Sequence, residues 1–256
     1  MAYASPAGRT FLDRELYLPE EWASDPARRK EAGVPETIAF ATKPTLARQM
    51  RKRTLDGRLP AGWVTADSVY GADYQLRQDL VKRQLRYVVG VTSTQALGVW
   101  DQGAPRQRPI REVVQRVART GWTRLSAGDG AKGPRVYDWA WGKIRESAVQ
   151  AGWVEWWLAR RSLSDPPEIA YYLACAPAET TLERLVQVAG TRWAGEESLE
   201  TAKGEVGLDQ YEVRKWTGCY RHITLALLAH AFLTVTRAQA VGNDGQKGGP
   251  CSWTSR

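Results

Sequence analysis

The chain opens on short alternating runs. Residues 1–5 are mostly apolar, Pro6-Ala7-Gly8 is a turn signal, and residues 10–19 alternate in part before stopping at proline, which predicts a two-stranded hairpin. Residues 22–35 are charged and carry prolines and Gly33, so a loop with a short helix is expected there. Residues 45–55 place Leu46, Met50 and Leu55 on one side and arginines and lysine on the other, the spacing of an amphipathic helix. A short apolar strand over residues 63–66 stops at Asp67, residues 74–85 read as a helix, and residues 86–91 form a β-branched run of the kind found in buried strands. Strand, helix and strand after a hairpin predict a mixed α/β sheet.

From 101 to 161 the pattern changes to arginine, glycine and tryptophan in short alternating pieces, which predicts an antiparallel β-rich insertion. One more strand follows at 169–174, then long helical stretches at 181–206 and 216–237, and a glycine-rich tail from 241 to 256 without periodicity, expected to be disordered. The expected organisation is therefore residues 1–100 as the amino side of an α/β domain, 101–175 as the basic β-rich insertion, 176–240 as its carboxy-side helices, and 241–256 as the tail.

Charge sharpens the picture. Net charge is +8 with a pI near 9.5, which favours a polyanionic partner, nucleic acid first and an acidic membrane surface second. The 101–161 stretch holds twelve Lys and Arg against six Asp and Glu, together with six of the twelve tryptophans. Each of these tryptophans is read as core before DNA contact, because small β units rely on large aromatics for burial. The three cysteines, Cys175, Cys219 and Cys251, match no zinc spacing and are too few for a disulfide framework, which fits a reducing cytoplasm. The longest apolar stretch, 223–235, falls short of the roughly 20 residues a bilayer span needs, so a buried helix and no membrane partner are expected. His222 and His230 have no carboxylate or cysteine at metal spacing and read as core histidines.

Two features carry chemistry, and each has two readings. Asp67, in Ala66-Asp67-Ser68-Val69-Tyr70-Gly71, sits where a strand ends; it caps the following turn, or it holds a metal at the place where open α/β sheets bind ligands. On a helix, Arg192, Glu196, Glu200 and Lys203 share a face, either as a solvated ladder of ion pairs or as part of a site.

Taken together the two features resemble the second and third elements of the DDE transposase signature. The carboxyl-side motif of that family is arginine, three residues, the catalytic glutamate, six residues, lysine, and Arg192, Glu196 and Lys203 fit it without a gap. The tyrosine usual three positions before the arginine is here Ala189, and the apolar residue common before the glutamate is Gly195. The stretch from Arg192 through Arg214 to His222, and the segments around Tyr3 and Asp67, look like one bacterial insertion-sequence group.

The resemblance implies an RNase H-like mixed sheet flanked by helices and interrupted by a β-rich insertion. It implies Mg²⁺ (or Mn²⁺) held by Asp67 and Glu196 as catalytic carboxylates, with Arg192 and Lys203 on DNA phosphates, for cleavage and strand transfer at phosphodiesters. It also implies double-stranded DNA as partner, at transposon ends and target, with a homodimer in the DNA complex. In that family the first aspartate lies on a strand upstream of the hairpin that begins this chain, and Asp13 sits too late to replace it. A carboxy-terminal part inactive by itself is therefore expected. The rival expectation is a non-catalytic DNA-binding remnant of a degraded element; a host RNase H-like nuclease fits less well, because the match is to the mobile-element motif and not only to a fold.

Overall fold

The computed structural model of the chain describes residues 1–101, 103–130, 133–144 and 149–247. The chain folds as two compact units, one from Met1–Ala41 together with the chain from Ala194 onward, the other from Thr42–Trp193.

The first unit opens on the expected hairpin, β1 (Ala2–Ser5) against β2 (Gly8–Phe11), antiparallel with Ser5 opposite Gly8. The second strand is shorter than the sequence pattern suggests, and residues 12–19 are irregular. Two short helices follow, α1 (Glu20–Ala23) and α2 (Pro26–Ala32). The second has a complete set of stop and start signals: Asp25 accepts from the Ala27 and Arg28 amides, Pro26 opens the helix, and Gly33 ends it at φ 68°.

The second unit begins with α3 (Lys43–Asp56), followed by β3 (Trp63–Ala66), the single-turn α4 (Ser68–Gly71), α5 (Tyr74–Lys82) and β4 (Arg86–Val91). The residue that α3 buries is Arg51, with Leu46, Met50 and Leu55 half-buried, so an arginine expected on the polar side turns inward with the apolar residues. A hairpin of β5 (Ala96–Asp101) and β6 (Ala104–Pro109), the short α6 (Ile110–Gln115), and strands β7 (Thr123–Gly130), β8 (Gly133–Lys143), β9 (Trp153–Arg161) and β10 (Ile169–Pro177) precede α7 (Leu182–Thr191).

Six of these strands form one sheet in the order β3-β4-β10-β9-β8-β7, parallel between β3 and β4 and antiparallel elsewhere. The β-rich stretch expected after residue 101 is present, and four of its strands are hydrogen-bonded into the same sheet as β3 and β4. The sequence explains this. In β4, β9 and β10 the residues of both parities are apolar, and a strand apolar on both sides needs both sides covered. Val88, Trp139, Trp156, Leu158, Tyr172 and Ala174 face a core closed by Leu182, Leu185, Val186 and Ala189 of α7. Tyr87, Val89, Val91, Trp157, Ala159, Leu173 and Cys175 face another, closed by Leu76 and Leu80 of α5 and Ile110 and Val114 of α6. Each fully buried side chain of this kind contributes about 1.5–3 kcal/mol. The result is a mixed α/β fold whose six-stranded mixed sheet is flanked by helices, consistent with an RNase H-like nuclease.

The chain then returns to the first unit through α8 (Trp193–Val206) and α9 (Trp216–Lys247). The expectation of a buried helix at 223–235 is corrected. Only Ala226 and His230 are buried on it, while Leu225, Leu228, Phe232 and Val235 are each more than half exposed. The hairpin is one reason, because it covers a single stripe: a Cβ on Gly8 would press on Thr234, and the Thr234 hydroxyl donates to the Arg9 carbonyl. The segment Trp216–Ala240 is also long and apolar enough to cross a membrane by length and composition, and 11% of its most apolar window is buried. The helix continues to Lys247, past the point at 241 where a structureless tail was expected; residues 248–256 of that tail lie outside the described ones.

Candidate nucleic-acid interface

Asp67 is the first residue beyond β3, whose Ala66 pairs with Val89 of the parallel strand β4. Its Oδ1 accepts from the Val69 amide at 2.9 Å and the Tyr70 amide at 3.4 Å, so it caps α4. The side chain is exposed, and its Oδ2 makes no hydrogen bond to a described residue. One oxygen is thus fixed by the backbone and the other faces outward at the carboxyl end of a strand, which is where α/β sheets take ligands. The cap and the ligand readings of Asp67 are compatible in a single conformation. Burial, and then the Asp67 charge, push the Tyr70 hydroxyl above its ordinary pKa, which keeps it protonated beside the carboxylate.

The turn that carries Asp67 is held tightly. A Cβ on Gly71 would overlap the Gly90 carbonyl oxygen and sit 3.0 Å from the Val89 Cβ, so α4 lies directly on β4. The buried Arg77 guanidinium donates to the Gly71 carbonyl, and Asp73 caps α5 by accepting from the Leu76 amide at 2.8 Å.

Glu196 and Lys203 stand on α8 in the other unit. The helix buries Ala194, Ser198 and Ala202, four residues apart, and the Ser198 hydroxyl closes onto the Ala194 carbonyl at 2.6 Å. At 100° per residue, Glu196, Glu200 and Lys203 lie on the opposite, exposed side. Glu197, between the two faces, pairs with Arg9 of the hairpin, and Glu205 pairs with Arg237 of α9 at 2.6 Å. Gly195 faces open space, and a Cβ there would meet nothing within 4 Å.

Arg192 belongs with Asp67 to the unit from Thr42–Trp193, where it ends α7 in helical backbone. It stands 5.8 Å from the Trp193 ring, in a cluster that the sequence reading missed. Tyr137 and Trp193 stack at 6.2 Å and 9°, Arg135 lies 4.8 Å from the Trp193 ring, and Arg160 lies 4.4 Å from Tyr137 and 5.2 Å from Trp193. Arginine stacked on aromatic faces suits cation–π attraction. The signal was the recurrence of arginine beside aromatic residues, but the partners come from β8, β9 and the start of α8 and could not be paired by spacing.

A second cluster was also missed. Residues 43–86 hold ten Lys and Arg against four Asp, as large an excess as the tryptophan-rich stretch in fewer residues. Among them, Arg48 reaches Gln75 at 2.5 Å and Asp73 at 3.5 Å, and Arg51 reaches Asp79 at 3.1 Å. Burial, opposed by Asp79, pulls the Arg51 guanidinium below its ordinary pKa.

The expected core roles hold for Trp139, Trp156 and His230, while His222 is only half-buried. Trp139 and Trp156 are fully buried. His222 lies 3.2 Å from the Leu208 carbonyl and 4.8 Å from the Tyr211 ring. His230 is buried against Phe11, and burial lowers its pKa.

A helix-flanked mixed sheet with an outward carboxylate at a strand end and arginine-rich faces defines an α/β protein suited to an anionic polymer. The family model described as DDE superfamily endonuclease matches residues 1–144, more than half of the chain, and the chain belongs to that family. No curated protein matches the chain. Membership makes it a transposase- or nuclease-like protein whose substrate class is DNA. The matched residues include Asp67 and stop short of Arg192, Glu196 and Lys203.

Endonucleases of this family generally use divalent metal ions. Asp67 has the hard oxygen such an ion takes. Among the described residues, however, no group of three or more His, Cys, Asp or Glu side chains could hold a metal ion. The residues present do not make up a metal site, and no metal-dependent step is derived for them.

Proposed function

We propose that the chain is part of an insertion-sequence transposase and that by itself it binds duplex DNA without cutting it. The observation that carries this reading is Asp67: a strand-end carboxylate with one oxygen tied to the backbone and one open, in a chain of the DDE endonuclease family. In a complete site Asp67 and Glu196 would each be a carboxylate ligand for Mg²⁺ or Mn²⁺, and Arg192 and Lys203 would hold DNA phosphates. The exposure of Glu196 and Lys203 on one side of α8 and the motif spacing support those roles. No third carboxylate is grouped with Asp67 or Glu196 among the described residues, which is why cutting is not expected of the chain by itself. The protein works in the bacterial cytoplasm, as a homodimer on transposon ends and target.

The test is fluorescence anisotropy of labelled duplex DNA with the purified chain over a salt series, followed by incubation with Mg²⁺ or Mn²⁺ on a supercoiled plasmid. Binding whose log K falls steeply with log salt is expected, with no nicking. Salt-insensitive binding, or none, defeats the DNA reading. Robust cleavage that Asp67→Ala abolishes would mean that this chain already contains a complete site.

A non-catalytic remnant is the second reading, favoured by the lack of a three-ligand group among the described residues. It predicts that Asp67→Ala leaves Mn²⁺ binding by the DNA-bound chain unchanged, whereas the transposase reading predicts that it weakens it.

A further inference from the structure

Two of the basic residues of α3 and α5, Arg48 and Lys82, line one groove. Arg48, Tyr74, Gln75, Gln78, Asp79 and Lys82 line a cleft of about 410 Å³ in the unit from Thr42–Trp193. Its wall is polar and aromatic, with Tyr74 exposed at 64% and Lys82 exposed and without an ion pair or hydrogen bond to its side chain among the described residues. The one carboxylate in the cleft, Asp79, already bonds Arg51 through Nη2. Arg51 is 8% exposed, and its Nε and Nη1 donors have no hydrogen-bond partner among the described residues. Those two atoms are closed off from solvent, so Arg51 acts on the groove through its charge and its pairing with Asp79 and not as a direct contact.

We propose that this groove is a DNA backbone contact, taking the non-bridging oxygens of two consecutive or nearby phosphates on Arg48 and Lys82, with Arg51 held behind them. The inference rests on the DNA-binding reading above. Three features point to a phosphodiester chain in preference to a small anion. The cleft is an open groove between helix faces, it carries amide donors at Gln75 and Gln78 beside its cations, and Tyr74 offers an exposed ring to a sugar or base. Asp79 does not repel the ligand as a lone acid would, because Arg51 neutralises it.

The groove also has a fixed relation to Asp67. Tyr74 is seven residues further on, four of them the single turn α4. The reach of that segment is at most about 17 Å, which is about five base pairs along a duplex axis. Duplex seated on α3 and α5 therefore passes close to the strand-end carboxylate, and the contact serves to hold DNA in register there.

The experiment is a salt titration of duplex binding by the whole chain and three variants. Each phosphate contact contributes about 0.9 to the slope of log K against log salt. Lys82→Ala, which breaks no bond within the protein, should lower the slope by about 0.9, and Arg48→Ala with Lys82→Ala by about 1.8. Gln78→Lys should raise both the affinity and the slope, a gain that misfolding cannot produce. An unchanged slope in Lys82→Ala together with no gain in Gln78→Lys overturns the groove while leaving DNA binding intact. Absence of salt-dependent binding in the unaltered chain would instead defeat the DNA-binding reading itself.

Discussion

Gly71 rests on the Gly90 carbonyl, so closely that no side chain fits between α4 and β4. That contact positions Asp67, because the cap, the single turn and the strand beneath it are one packed unit. Gly71→Ala puts a methyl group into backbone that no rotamer change can move. It should destabilise by about 1–3 kcal/mol or more, read as a fall in the urea midpoint. An unchanged midpoint would mean that α4 lifts from the sheet at little cost.

Gly195 and Gly204 are the contrasting case. Both are within α8, and a Cβ on either meets nothing within 4 Å. Here glycine only loosens the helix, so Gly195→Ala and Gly204→Ala should each stabilise by about 0.5–1 kcal/mol. The two positions are nine residues apart, and their effects should add in thermal or urea unfolding. A loss of stability at Gly195 would show that the family's apolar preference at that position reflects something other than helix packing.

How far the sequence could be read depended on whether a signal was local. The hairpin turn, β3, β4, α5 and the place of Asp67 at a strand end were legible, because alternation and a strand-end acid are properties of neighbouring residues. What failed was pairing across distance. Arg51 turns inward on α3 because Asp79, 28 residues later, waits for it. The apolar run of α9 was read as buried because its composition is apolar, but composition does not say how many neighbours a helix has. In the same way the tryptophan-rich strands gave no sign that they would continue the β3–β4 sheet. The motif spacing singled out Arg192, Glu196 and Lys203 as candidates, while the stacking of Arg135, Arg160, Tyr137 and Trp193 needed the fold.

Asp67 invites a substitution that separates its two roles. Asparagine keeps an oxygen to accept from the Val69 and Tyr70 amides but removes the negative charge. Asp67→Asn should therefore leave thermal stability nearly unchanged, whereas Asp67→Ala should cost about 0.5–2 kcal/mol by loss of the cap. If asparagine proved as damaging as alanine, the charge and not the hydrogen bonds would be holding the turn.

Asp138 gives the fold a dependence on acid. It accepts from Arg124 at 2.9 Å and Arg161 at 3.2 Å, so it joins β7, β8 and β9 by ion pairs. The Arg124 hydrogen bond, with Arg161 adding to it, holds the Asp138 carboxyl below its ordinary value of 3.8. A carboxylate depressed in the folded state contributes stability in full above that ordinary value and loses it as pH falls through the lower folded one. The chain should therefore lose stability below about pH 4, and Asp138→Asn should flatten that decline while lowering stability at neutral pH. Urea unfolding at pH 7, 4 and 3 on both proteins measures it. If the two curves ran parallel across that range, the Arg124 and Arg161 contacts would have no part in the acid limb.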